Sequence, residues 1–192
     1  MGVARQALER LVRSPERGLA IDLEDVHREV GGYFGELPGD ALFRRPEPDV
    51  WSPAENLVHL VKSVKAVAGG MGVPRLALAL RFGIARRPSR RFEEIREIYQ
   101  QRLARGGRAP GRFVPDALEP DDPEAARSRM LAGWQRVGAD LVAKLRRWPE
   151  PSLDRYRMPH PLLGKLTVRE MLFFTLYHDR HHLAIVRRRA QG

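Results

Sequence analysis

Residues 167–189, TVREMLFFTLYHDRHHLAIVRRR, decide the fold. They open with Thr167-Val168-Arg169-Glu170, a capping box: a hydroxyl and a carboxylate three residues apart each satisfy a backbone N–H at a helix start. Leu166 and Met171 flank the box at the positions of a hydrophobic staple. Arg187, Arg188 and Arg189 close the stretch, where the negative end of the helix dipole favours cations. The stretch is predicted to be one long helix from about Val168 to Arg189. Its C-terminal half carries His178-Asp179-Arg180-His181-His182.

Three further helices follow from apolar spacing. The first runs from about Pro15 to Gly35, with Ser14 as N-cap and Pro15 at the first helical position. Leu19, Leu23, Val26, Val30, Tyr33 and Leu37 step by four and three, as in the seam of a packed bundle helix. The second runs from about Pro53 to Ala68. Ser52-Pro53-Ala54-Glu55 is its capping box, Leu57, Leu60, Val61, Val64 and Val67 its apolar stripe, and Gly69-Gly70 its end. The third runs from about Pro123, capped by Asp122, to Trp148-Pro149. Met130, Trp134, Val137, Leu141, Leu145 and Trp148 form its seam.

About 50 residues separate the second and third helices, which is long for a bundle connection. Within them Pro74 to Arg91 mixes Leu76, Leu78, Leu80, Phe82 and Ile84 with basic residues. It is expected to fold over the bundle as a lid or to join a dimer interface, with contact to a membrane surface as the alternative. Phe92 to Leu103 looks like a short helix, and Arg108 to Pro120 reads as irregular loop. Nothing alternates with the period of a strand over a useful length. The chain is therefore predicted to be all-α, an up-down-down-up four-helix bundle. It forms a single domain over residues 1–192, with residues 70–121 inserted between helices 2 and 3.

Composition narrows the function. The chain has 192 residues, 43% of them hydrophobic, and no cysteine. Disulfides, thiolate ligands and a cysteine nucleophile are excluded, and a reducing cytoplasm is the expected location. No apolar run reaches the roughly 20 residues that span a bilayer, and the N-terminus has no apolar signal core. The net charge of +10 raises anionic partners. The arginines are dispersed, however, and no nucleic-acid-binding motif stands out, so nucleic acid is an unfavoured partner.

Chemistry concentrates in the histidines. Residues four apart share a helix face, so His178 and His182 lie about 40° apart on the helical wheel. Two such imidazoles can reach one metal ion. His181 points about 60° away from His178 and is assigned to the rim or to an outer partner. His59 lies roughly 140° from the centre of the second helix's apolar stripe. Spacing alone leaves it either a surface histidine or, beside Asn56, Ser63 and Ala66, part of a cleft.

Trp51-Ser52-Pro53-Ala54-Glu55 followed by His59-Leu60, together with Leu163 through His182, resembles the DinB-like family of four-helix-bundle metalloproteins. The resemblance places the metal-binding histidines on His59, His178 and His182. It implies a divalent ion, zinc or nickel first. It also implies a metal-dependent thiol S-transferase or hydrolase acting on a small molecule, with bacillithiol or mycothiol as the kind of thiol used. A non-catalytic metal- or ligand-binding bundle is the alternative. Asp179 or Glu55 is expected to orient a ligand imidazole, although Glu55 is also the capping-box acid and Asp179 also reads as a solvated helix residue. Arg180 and the arginines from Arg86 to Arg91 are candidates to bind a substrate carboxylate. A homodimer is expected.

Overall fold

The computed structural model describes residues 18–190 and is mostly helical. Four long helices carry the core: α1 (Leu19–Glu36), α3 (Pro53–Met71), α6 (Pro123–Leu145) and α8 (Val168–Ala190). Shorter ones lie between them: α2 (Gly39–Phe43), α4 (Arg75–Phe82), α5 (Phe92–Ala104) and α7 (Glu150–Arg155). Helix α6 packs against α1 and α3, and α8 packs against the same two. The seams point as their spacing requires. Leu23, Val26 and Val30 of α1, Leu57, Leu60 and Val64 of α3, and Trp134 and Leu141 of α6 are all buried. Phe34, not Tyr33, completes the buried face of α1.

Local signals account for most boundaries. The Ser52 hydroxyl accepts from Glu55 N–H at 3.2 Å, and the Glu55 carboxylate accepts from Ser52 N–H at 2.7 Å. Asp122 caps α6 by accepting from Ala125 N–H at 3.0 Å. Ser14 and Pro15 lie outside the described residues. Helix α3 runs past Gly69-Gly70 to Met71, correcting the expected stop. A Cβ at Gly70 would meet Met158 Sδ at 2.6 Å, so the glycine is there for close approach and does not end the helix. Helix α6 ends at Leu145, and the Trp148 indole N–H donates to Met71 carbonyl at 3.0 Å.

The described residues also hold a strand pair that spacing did not reveal. Strands β1 (Arg157–His160) and β2 (Gly164–Thr167) pair antiparallel, with Met158 opposite Leu166 and His160 opposite Gly164. Gly164 takes a φ of +73°, closing the three-residue loop in the left-handed conformation such hairpins favour. Four-residue strands with Pro159 in one of them are too short to show a period of two. Leu163 to Thr167 therefore precedes the last helix as turn and strand.

The arginine-rich middle segment clamps the start of α8. Glu170 is fully buried. Its carboxylate accepts from Arg87 Nη1 at 2.6 Å, Arg90 N–H at 2.8 Å and Thr167 N–H at 3.0 Å. Asp154 holds Arg169 at 2.7 Å and accepts from the Ser89 hydroxyl at 2.6 Å. Arg87 and Arg90 thus serve an internal acid, which corrects their reading as a site for a substrate carboxylate. The buried pair yields a test. Glu170→Ala leaves two guanidinium groups and a capping N–H without their acceptor, and should lower stability to urea by about 3 kcal/mol. Arg91→Ala, at an exposed ion pair, should cost under about 1 kcal/mol.

Candidate metal centre

Helices α3 and α8 bring three histidines to one point. His59 comes from α3, and His178 and His182 from α8. All three are buried, and one ring nitrogen from each lies within 4.8 Å of the others. His59 Nε2 and His178 Nε2 are 3.0 Å apart. The ring centroids stand 4.6 to 5.0 Å apart. The cleft reading of His59 is thus the one its environment supports. Its helix is covered on a second, polar face by α8, which one stripe of apolar residues does not announce.

The far nitrogens set the tautomers. His59 Nδ1–H donates to the Phe113 carbonyl at 2.8 Å, and His182 Nδ1–H donates to Asn56 Oδ1 at 2.8 Å. Asn56 Nδ2 donates to the Ser52 carbonyl at 2.9 Å, so its oxygen is the atom that faces His182. Both imidazoles therefore turn a bare Nε2 lone pair inward. His178 Nδ1 is buried without a hydrogen-bond partner among the described residues, with Asp179 Oδ1 3.9 Å away. Either tautomer of His178 leaves one of its nitrogens unmatched.

Burial pushes His59 below its ordinary pKa. It pushes His178 and His182 well below theirs, helped by the neighbouring histidines. The cluster is thus neutral near pH 7, the form that binds metals. Three converging neutral imidazoles fit a divalent ion such as zinc in their donor set.

The other predicted residues lie as follows. Glu55 does not touch a ligand imidazole. Arg45 grips it through Nε at 3.0 Å, and this contact, with the Ser52 N–H, outweighs the upward push of burial and holds the carboxyl below its ordinary value. Asp179 is fully buried, correcting its reading as a solvated residue. Its Oδ2 sits 3.3 Å from His27 Nε2, and burial raises its pKa despite His27. A Cβ at Gly138 would collide with the His27 ring, so the glycine makes room for that pair. Arg180 is buried and feels the acids Glu29 and Asp22 of α1. It faces away from the histidine cluster, which corrects its assignment to a substrate. His181 packs edge-on to His182 and stacks on Tyr177.

Sequence reasoning missed two participants and placed a third without its role. Asn56 was legible as a polar residue one turn before His59, on the same face. The Phe113 carbonyl was not, because a backbone acceptor leaves no mark on residue type. His160 was also missed. Its ring centroid lies 4.1 Å from that of Phe174, and burial pushes its pKa down to about 4.

A model of the DinB superfamily matches residues 22–186 of the chain. The chain is also 28% identical over 161 residues to the uncharacterized protein YuaE of Bacillus subtilis (strain 168), an alignment covering 83% of this chain and 90% of that protein.

These shifts set a pH dependence. Below pH 6.5 the unfolded chain protonates its histidines while the folded, metal-free cluster does not, so the unfolded state binds more protons. Metal-free protein should therefore lose stability as pH falls below about 6.5, by up to about 1.4 kcal/mol per pH unit for each buried histidine. Urea titrations at stepped pH measure it. His59→Phe should flatten the slope.

Proposed function

The chain belongs to the DinB superfamily, and on that premise we propose that His59, His178 and His182 hold one divalent ion, zinc or nickel, in a thiol S-transferase or hydrolase acting on a small molecule. The orientation of two rings carries this proposal: hydrogen bonds from His59 to Phe113 and from His182 to Asn56 turn both Nε2 lone pairs toward His178. When bound, such an ion favours the deprotonated form of a thiol or water beside it and so supplies a nucleophile near neutral pH. Three protein ligands leave a coordination position free for that group.

The chain's own residues do the rest. Asn56, pinned to Ser52, and the Phe113 carbonyl hold the rings in register. Trp51 stacks beside His182, and Phe174 beside His178, keeping bulk water from their faces. The same reading takes the four long helices as an up-down-down-up bundle with residues 70–121 inserted, forming one domain of a cytoplasmic protein.

One observation favours a second reading, a metal or ligand binder without turnover. Among the described residues, no carboxylate lines the cavity that opens on His59 and His178, so no acidic general base stands ready there.

Metal analysis of purified protein tests the site. Wild type should carry one equivalent of zinc or nickel, and His178→Ala should carry little. Equal metal content in the two would end the proposal. Consumption of a low-molecular-weight thiol and an electrophile by metal-loaded protein then separates enzyme from binder.

A further inference from the structure

The cavity beside the histidine cluster has a volume of about 590 Å³. At the roughly 30 Å³ that one water occupies in the liquid, it has room for about 20 water-sized atoms. Its walls are largely apolar: Val67, Leu78, Phe82, Met158, Leu162 and Phe174. Its charged side chains are all cations, Lys62, Lys65 and Arg112, and no Asp or Glu of the described residues reaches it. Lys62 is engaged by the Val114 carbonyl at 2.8 Å. Arg112 lies over the Phe113 ring at 4.8 Å, and its exposed guanidinium, like Lys65, is held by no acid among the described residues.

His160 adds a directed donor. Its Nδ1 accepts from Leu162 N–H at 3.2 Å and Leu163 N–H at 3.1 Å. Those two donors fix the proton on Nε2. The residue is only 9% exposed and lines the cavity. Its Nε2–H has no partner among the described residues, yet it is not one of the sealed, unsatisfied atoms of the interior. Because His160 is part of the cavity wall, this N–H is the donor nearest to hand for an occupant of the cavity. An N–H on a largely apolar wall gains by meeting an acceptor, and a surface with cations and no acids selects a negative one. One fixed N–H, with no nest of backbone N–H groups, suits a carboxylate better than a phosphate.

We propose that this cavity binds an amphipathic carboxylate, its aliphatic or aromatic body against Leu78, Phe82 and Met158 and its carboxylate accepting a hydrogen bond from His160 Nε2–H. This deepens the preceding reading by naming a ligand class for the same site. The binding itself does not require the ion.

Calorimetric titration of decanoate into the full chain, both chelator-treated and zinc-loaded, tests it. Decanoate should bind saturably. Decanol should bind at least about tenfold more weakly, in line with the strength of a charge-assisted hydrogen bond. Decyltrimethylammonium should not bind. Ala66→Trp, which fills the cavity from an exposed position of α3, should weaken decanoate at least about tenfold with an unchanged melting temperature. Lys65→Gln with Arg112→Gln should weaken it severalfold. In wild type the His160 Nε2 proton resonance should move downfield as decanoate is added. No saturable binding below about 1 mM, equal affinity for the ammonium compound, or a stationary His160 resonance would overturn the proposal. Decanoate binding by a protein that holds no metal would uphold this inference and sink the metal reading. A full equivalent of metal without decanoate binding would do the reverse.

Discussion

Three buried imidazoles that converge on one point constrain everything around them. His178 Nε2 stands 3.0 Å from His59 Nε2, where a single proton on His178 bridges the two, and protonating the cluster further places like charges in a largely buried site. Burial therefore opposes protonation of the cluster, and a shared cation is the partner that satisfies all three rings at once. Holding the lone pairs inward takes a fixed acceptor behind each ring. Asn56 serves His182, and it is itself tied to the carbonyl of the residue that caps α3. The cap that starts the helix and the group that aims the imidazole are thus one local structure.

The inserted segment takes part in the same constraint. A stretch dense in arginine, in a chain of net charge +10, looks like a face for an anionic partner. Two of its arginines instead meet Glu170, the capping acid of α8. That contact fixes where α8 begins, and so where His178 and His182 fall along it. Farther on, the loop at Gly111–Phe113 delivers the carbonyl that turns His59, while Val114 engages Lys62. The segment therefore supplies an anchor for one helix, an acceptor for one ring and part of a cavity wall.

What the sequence showed follows from which interactions leave a signature in residue type. Capping boxes at Ser52 and Thr167 and four-three apolar steps are encoded locally, and they placed the long helices within a few residues. The His178–His182 pair was visible because i and i+4 share a face. His59 was ambiguous, because its helix is buried on two sides and the second side is polar. Spacing alone therefore left it open between surface and cleft, and only its agreement with a family pattern placed it with the other two. The hairpin was invisible, since four-residue strands carry no period. Asp179 was misread as solvated because nothing near it in sequence reveals His27, which approaches from α1 across the space left by Gly138.

The three rings are not held alike, and the difference has a structural cause. His59 and His182 each donate from Nδ1 to a carbonyl oxygen at 2.8 Å. His178 has no such bond. The carboxylate of the next residue stands 3.9 Å from its Nδ1, too far for a hydrogen bond. That carboxylate lies nearer His27, at 3.3 Å. Adjacent residues on a helix point about 100° apart, so Asp179 faces α1 while His178 faces α3. His178 is therefore oriented by packing, stacked on Phe174 with ring centroids 5.0 Å apart, and it carries an unmatched nitrogen. Two rings are thus held at Nδ1 by hydrogen bonds, and the third by packing and by its 3.0 Å contact with His59 Nε2. That ring lines the cavity together with His59, so an incoming molecule meets one ring held at Nδ1 by a carbonyl and one held there by packing alone.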